Sequence, residues 1–500
     1  MMGQAKPPKR KPYYKGFLLE ERVRPNHPLR TIRQLVDFDF AYEAVKDCYG
    51  RNGNVSVPPP VILKLMFLLF YYDVASEREL MDTLPERLDW LMFLDYDLDD
   101  TLPRHSVLSK ARKRWGVGVF RRLFERVLEQ CVALGLVDGR KVYCDASLVD
   151  ADAANDSIKA TSPFRVICGG LEQRLSDAGE KDEIEPASER QYESTTDPDA
   201  AVVAGRGGAR ARYKTHRLVD DRHGVITATE ITAGDVNEAH RLPALLAQHE
   251  ATTGQRVRSA TADSKYGTIE NYLHYHDRNV TAHMPDLKRA TATSGRKRGI
   301  YSDREFRYCP AADVYICPAG QQLRRKRFHE ARQAYDYCGT KPLCGACRLR
   351  KQCTTSKTGR SIKRHVRQDD IDQMRREAAS GRAKVDRRRR KYLMEGSFAD
   401  GANNHGLKRA RWRGLQRVAI QDYFIATVQN IRIMVKSRLR RAGAGVQAVR
   451  RIGTGVQAVI QSAGSCFAAA VTQPALTWWK TILARCGVSH AQIRPKPCLR

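Results

Sequence analysis

The sequence predicts an α/β protein. A mixed-sheet core follows an α-helical N-terminal domain, receives an inserted Cys-rich basic subdomain and ends in helical C-terminal segments. Three observations carry this. Apolar residues recur at helical spacing from Thr31 to Leu136 and again from Gln373 to Lys436. Between residues 140 and 286, short runs read in order as strand, hairpin, helix and strand. Six of the thirteen cysteines crowd between Cys309 and Cys353. With 42% hydrophobic residues in 500, the chain can build real cores, and its length suits two to four domains at roughly 150 residues each.

The first domain, residues 25–136, contains the helical runs VILKLMFLLFYY and VFRRLFERVLEQCVALGL. Ser76 and Glu79 stand at capping-box spacing between them. Lys110, Arg112, Lys113 and Arg114 form a basic run that is either a DNA-reading helix or the solvated face of an ordinary bundle. The most apolar run, Val61 to Tyr72, is about a dozen residues and includes Lys64, well short of the roughly 20 that span a bilayer. The basic N-terminus has no apolar region behind it, so no secretory signal is read and a cytoplasmic protein is expected.

Residues 140–286 form the first part of the expected core. KVYCDASLVDA alternates as a strand and puts Asp145 in its middle. Residues 172–199 hold ten acids and three bases, which suits a solvated, mobile insertion. YKTHRLVDDRHGVITATEIT reads as a hairpin turning at Asp221–Gly224, NEAHRLPALLAQHEATTG as a helix ended by Gly254, and RVRSATADSKYG as a strand ending at Asp263. Residues 287–376 are basic, Cys-rich and poorly periodic. Residues 377–436 return to helix and complete the core. Residues 437–500 repeat GAGVQAV at Gly443 as GTGVQAV at Gly453 and read as a basic, weakly ordered tail.

The surplus of 87 Lys+Arg over 56 Asp+Glu, a net charge of +31, points to a polyanion partner, most simply nucleic acid. Against that background three acids stand out. Asp145 and Asp263 lie on strands among apolar neighbours, where a charge is costly to bury. Glu395 follows five consecutive bases, Arg387 to Lys391. Converging carboxylates stay ionised only with cations among them, and oxygen-rich clusters suit Mg²⁺ or Mn²⁺. Two such ions about 4 Å apart can activate an attacking oxygen and stabilise the leaving oxygen of a phosphodiester.

YCDASLVDADAANDS, YKTHRLVDDRHGVI, ADSKYGT and EGSFADGANNHGLKRARWRGL, in that order, resemble bacterial insertion-sequence transposases of the DDE type, most closely the group numbered eleven eighty-two. The stretch ending TLPRHSVLSKARKRWG resembles the helical domain that precedes the core in these proteins. The resemblance spans roughly residues 25 to 435. It implies an RNase H-like core, with Asp145, Asp263 and Glu395 as the catalytic residues and ligands of two Mg²⁺ or Mn²⁺ ions. It also implies cutting of transposon ends, joining to target DNA, terminal inverted repeats as partners, and a homodimer or larger synaptic assembly. Asp150 and Asp152 are rival strand-end acids. Many relatives carry a Lys about two turns after the Glu; here Ala402 occupies that region and Lys408 is the next Lys. A catalytically decayed DNA-binding protein and a stand-alone metal-dependent nuclease of the same fold are the alternatives.

The six clustered cysteines are separated by 7, 20, 5, 2 and 5 residues, so Cys344 and Cys347 form a C-x-x-C pair that can grip one tetrahedral Zn²⁺. Cys317 and Cys353 are the preferred remaining ligands, with Cys309 and Cys338 as alternatives, and free thiols as the plain reading. Such a zinc would be structural, because four thiolates leave no open position. Lys408, Arg409, Arg411, Trp412 and Arg413 are candidate DNA contacts, and as a helix their bases would cover most of its circumference. Trp412 either stacks on a frayed base or anchors its segment to the core, the second being the commoner use. Tyr213 and Lys214 could support the acids, and His216 is a general-base candidate that two-metal chemistry does not need. No nucleotide-binding G-x-x-x-x-G-K-[ST] loop and no G-x-S-x-G elbow occur, and GRGGAR at Gly205 reads as a linker.

Overall fold

The computed structural model describes residues 2–4, 18–50, 54–161, 190–205, 208–287 and 300–463; of residues 441–463 only the backbone is described. Among the described residues seven α-helices precede the first strand: α1 (Leu19–Arg22), α2 (Pro28–Leu35), α3 (Phe40–Ala44), α4 (Pro59–Tyr71), α5 (Glu77–Thr83), α6 (Leu88–Leu94) and α7 (Ser106–Ala133). Helix α4 is apolar all round and buried on almost every side, which suits the centre of a bundle. The Ser76 hydroxyl caps α5 by accepting from the Glu79 amide at 3.1 Å, and Glu79 in turn accepts from the Ala75 amide. Helix α7 bends at Gly116, whose φ of 70° and ψ of −177° suit glycine alone.

The main sheet is mixed. Strand β1 (Lys141–Asp150) pairs antiparallel with β5 (Gly208–Asp220) on one side and parallel with β7 (Ser259–Thr261) on the other. Beyond β7 lies β8 (Thr281–Ala282); beyond β5 lie β4 (Ala201–Gly205), β3 (Tyr192–Ser194) and β2 (Ile158–Ala160), while β6 (Ile226–Ala233) also pairs with β5. Helices α8 (Glu238–Thr253) and α9 (Ile269–Asp277) link the later strands, and the Asn237 side chain and Gly254 in the left-handed region terminate α8. The hairpin, helix and strand expected over residues 213–263 are all present. The acidic insertion expected over residues 172–199 lies outside the described residues as far as 189. Its last part departs from expectation: Tyr192–Ser194 is a strand, and Ser194 and Asp197 are buried, with Asp197 accepting from the Tyr213 hydroxyl at 2.6 Å.

The cysteine-rich segment, which shows no periodicity, forms a five-stranded antiparallel sheet: β9 (Arg307–Cys309), β10 (Val314–Ile316), β11 (Gln322–His329), β12 (Ala334–Cys338) and β13 (Ser361–His365). Two short helices, α10 (Lys341–Gly345) and α11 (Arg350–Cys353), lie between β12 and β13 in the chain. The strands escaped the sequence pattern because β11 is exposed on both faces apart from Leu323, so it never alternates. Helix α12 (Gln368–Ala379) returns the chain to the main core, with Ile371 and Met374 buried beside α9. Helix α13 (Gly381–Asn404) then lies against β1, and α14 (Leu415–Ala463) closes the chain's described part.

Residues up to Val435 make one compact unit, and Lys436–Arg500 a second. Within the first, the helical bundle is not a detached domain: Phe70 and Phe120 meet Phe424 of α14 with ring centroids 5.4 and 5.5 Å apart. In the second, residues 437–463 continue α14, and the rest lies outside the described residues.

Candidate active site

Strand register brings the first two acids level. The parallel pairing of β1 with β7 matches Lys141 to Ser259 and Tyr143 to Thr261, so the same offset carried two residues further sets Asp145 beside Asp263. Neighbouring strands lie about 4.8 Å apart, and paired positions share a face. Asp263 has just left the strand and accepts from the Lys265 amide at 2.9 Å, capping a short turn. A third acid enters from an unexpected direction. Glu238 is the first residue of α8, and one oxygen from each of Asp145, Glu238 and Asp263 lies within 4.8 Å of the other two.

The three carboxylates face three cations. Arg390 of α13 donates to Asp145 at 2.7 Å, Lys265 to Glu238 at 3.0 Å, and Lys214 stands 3.6 Å from the same Glu238 oxygen. Glu238 is almost wholly buried, and Asp145 is mostly so. Burial raises the Asp145 carboxyl above the ordinary range; Arg390 and the Ala146 amide oppose it, and Asp263 adds to it. Lys214 is lowered by burial, with Glu238 holding it up. Oxygen donors at this separation are the set that Mg²⁺ or Mn²⁺ takes, and the opposing cations are what an ion would have to displace.

Glu395 is not part of this group. Its side chain is 67% exposed on α13 and stands 4.0 Å from Lys391. The reason is helical phase. Asp386, Arg390 and Ser397 of α13 reach Lys141, Asp145 and Arg217, which defines the face against the sheet. Glu395, five residues after Arg390, is rotated about 140° from it at 3.6 residues per turn. Glu238 escaped the sequence reading because an acid at the first position of a helix is also the ordinary partner of the helix dipole. The available signal was its place after Asn237, at the edge of the sheet that carries both aspartates.

The rival acids are tied elsewhere. Asp150 pairs with Arg212 at 2.8 Å and Arg210 at 3.3 Å, and Asp152 with Arg413 and Arg409. His216 is fully buried inside the sheet, bonded to the Thr232 hydroxyl at 2.8 Å, and burial pushes its imidazole down to about 3, so it is neutral.

The basic run after α13 is not helical. Lys408 and Ala410 exchange backbone hydrogen bonds with Asp150, so the segment runs along the end of β1. Lys408 donates to Ser147 at 2.6 Å. Arg411 is turned inward to Asp73 and the Val74 carbonyl. Trp412 packs edge-on to Phe70 at 5.8 Å, with the Arg112 guanidinium 3.9 Å from its ring centre, so it anchors the segment to the bundle. Arg409 and Arg413 remain exposed. In the bundle, Arg112 is buried against Glu77, while Lys110, Lys113 and Arg114 face outward.

In the second sheet, Cys317, Cys344, Cys347 and Cys353 line one small cavity beside Arg350 and Arg360. Cys309 and Cys338 do not line it; Cys338 donates to the Ser361 hydroxyl at 3.6 Å. All nine cysteines among the described residues are free.

Comparison with known proteins gives the context for this geometry. A family described as "Transposase domain (DUF772)" matches residues 17–114, and one described as "Transposase DDE domain" matches residues 316–435. No curated protein matches the chain by sequence. Among solved structures, the piggyBac transposase synaptic complex with hairpin DNA is similar at a TM-score of 0.33 and 9% identity, over 83% of this chain and 74% of that one. The Mos1 transposase paired-end complex with left transposon end is similar at a TM-score of 0.16 and 13% identity, over 46% and 61%. Likenesses at these scores add nothing to the fold. The chain thus carries two matches to transposase domains, one in the helical bundle and one reaching from the cysteine-rich sheet through α13 into α14, and together they support an insertion-sequence transposase of the DDE type.

Proposed function

We propose that this transposase cuts transposon ends and joins them to target DNA at the carboxylates of Asp145, Asp263 and Glu238, within an RNase H-like core. The observation that carries the reading is the convergence of these three acids within 4.8 Å. Hydrolysis breaks the bond between phosphorus and the 3′ oxygen and frees a 3′-hydroxyl. In strand transfer that hydroxyl attacks a target phosphodiester and displaces its 3′ oxygen. Asp145, Asp263 and Glu238 would hold Mg²⁺ or Mn²⁺, which would activate the attacking oxygen and neutralise charge at the leaving one. The protein's own residues set up the chemistry. The β1–β7 register fixes Asp145 against Asp263, and Lys214 and Lys265 hold the Glu238 carboxylate toward them. Arg390 of α13 holds the Asp145 carboxylate in position.

Glu395 keeps a place in the proposal as the acid in the stretch that resembles the family's Glu motif, and a rotation of α13 would be needed to bring it in. DNA, as terminal inverted repeats and target, is the proposed partner, met by exposed bases such as Arg409 and Arg413 and, at its edge, Lys408. A homodimer or larger synaptic assembly follows from the need to cut two ends. The eleven-eighty-two group remains the proposed subgroup. No described helix is long and apolar enough to cross a membrane, and a cytoplasmic location is proposed. Thiol-held zinc is the second metal that suits this chain.

The test is cleavage of end-containing DNA. Asp145→Asn should bind that DNA and lose nicking by at least 100-fold, and Glu238→Gln should do the same. If Glu395→Gln is the variant that fails while Glu238→Gln cuts normally, the third acid is Glu395. If Asp145→Asn still nicks with Mg²⁺, the site is wrong.

A further inference from the structure

The four cysteines around the cavity at the end of the second sheet come from three separate pieces of chain. Cys317 follows β10 in a tight turn: its carbonyl accepts from Gly320, which has a φ of 77°, and its amide donates to the Gln321 carbonyl. Cys344 and Cys347 lie at the end of α10 and just beyond it, where Arg350 closes the next turn by donating to the Cys347 carbonyl. Cys353 ends α11. Among the described residues no disulfide ties α10 and α11 to the sheet; Cys317 and Cys353 pack against the sheet's small apolar cluster, while Leu343 of α10 is exposed.

The backbone around the sulfurs is shaped to leave them room. A Cβ at Gly339 would sit 2.7 Å from the Cys344 sulfur, and one at Gly359, whose φ is 122°, would sit 3.1 Å from it. Two glycines on opposite loops therefore approach one thiol, and only glycine suits Gly359 on both counts. The four cysteines line one cavity together, with Arg350 and Arg360 beside them. No three of the sulfurs lie within 4.8 Å of one another, so an ion would draw them inward and contract the cavity.

We propose that Cys317, Cys344, Cys347 and Cys353 bind one Zn²⁺ as a closed tetrahedral thiolate site that staples α10 and α11 to the turn after β10. Four sulfur ligands, a C-x-x-C pair and a turn closed by Pro318 and Gly320 fit zinc and fill its coordination sphere. Cys309 and Cys338 stay outside the set. The role is structural and independent of the carboxylates.

The experiment uses the full chain purified without added metal. Elemental analysis should find one zinc per chain. Replacement by cobalt(II) should give the sulfur-to-metal charge-transfer absorption of a tetrahedral thiolate site. Cys344→Ser and Cys353→Ser should lose the zinc, whereas Cys309→Ser and Cys338→Ser should keep it. Where a serine variant does not fold, thiol counting on the native chain decides: four more thiols should react after chelation than before. A chain without zinc or cobalt charge transfer overturns the proposal. Loss of zinc in Cys338→Ser with retention in Cys317→Ser, or no gain in reactive thiols on chelation, overturns it equally.

Discussion

Asp145 is held between opposing influences: burial and Asp263 favour its protonated form, while Arg390 favours the ionised one, and the balance lies on the protonated side of the ordinary range. Only the ionised form can hold a cation. Lowering the pH through its raised pKa should therefore remove activity at pH values above the usual aspartate range near ~3.9. The loss should approach about tenfold per pH unit once the protonated form dominates. Nicking rates measured against pH at limiting and saturating Mn²⁺ check this, because added cation competes with the proton and should move the profile to lower pH. A second residue has a structural charge of equal consequence. Arg217 is completely buried in β5, 3.4 Å from Asp422 of α14 and bonded to Gln429 at 2.8 Å. Asp422→Ala strands that guanidinium and should cost about 3–5 kcal/mol in urea unfolding. The double variant Arg217→Met with Asp422→Leu, which removes both charges, should cost much less. Neither partner is marked by the sequence, since β5 and α14 are two hundred residues apart.

Single elements decide how these residues are presented. Helix α8 matters through its first turn: the Asn237 side chain accepts from the Ala239 amide at 3.1 Å and fixes the turn that carries Glu238. Asn237→Ala should cost about 1 kcal/mol, as N-cap losses do, and should slow nicking more than it weakens DNA binding. Helix α7 matters through its bend. Gly116→Ala forces an L side chain into a backbone region used almost only by glycine and should destabilise the chain by about 1–3 kcal/mol, read from the unfolding midpoint. The helices themselves were legible in the sequence wherever one face is buried and the other wet. The strands of the cysteine-rich sheet were not, because β11 exposes both faces. The run from Lys408 to Arg413 left its conformation open in the sequence: it is not a helix but turns past the end of β1, where Lys408 and Ala410 bond to the Asp150 backbone.

At the scale of the molecule, the charge of +31 sets how the chain meets DNA. Affinity for end DNA should fall linearly on a log–log plot against salt, with a slope of about 0.9 for each phosphate neutralised. Replacing Lys384 and Arg388, exposed on α13, by Ala should reduce that slope by about two while leaving the fold intact. The bundle and the sheet share one core through Phe70, Phe120 and Phe424, so truncating the first hundred residues should unfold the remainder rather than release a catalytic fragment. The sequence by itself determined the basic balance, the crowding of six cysteines, the helical stretches and the strands that carry Asp145 and lead to Asp263, because each is a matter of composition and local period. Only the tertiary structure decided which third acid joins the aspartates, which bases face outward and which lock to the bundle, and that the N-terminal helices are part of the core. Those depend on strand register and helix phase, which place residues far apart in the chain within a few ångströms and leave no local trace.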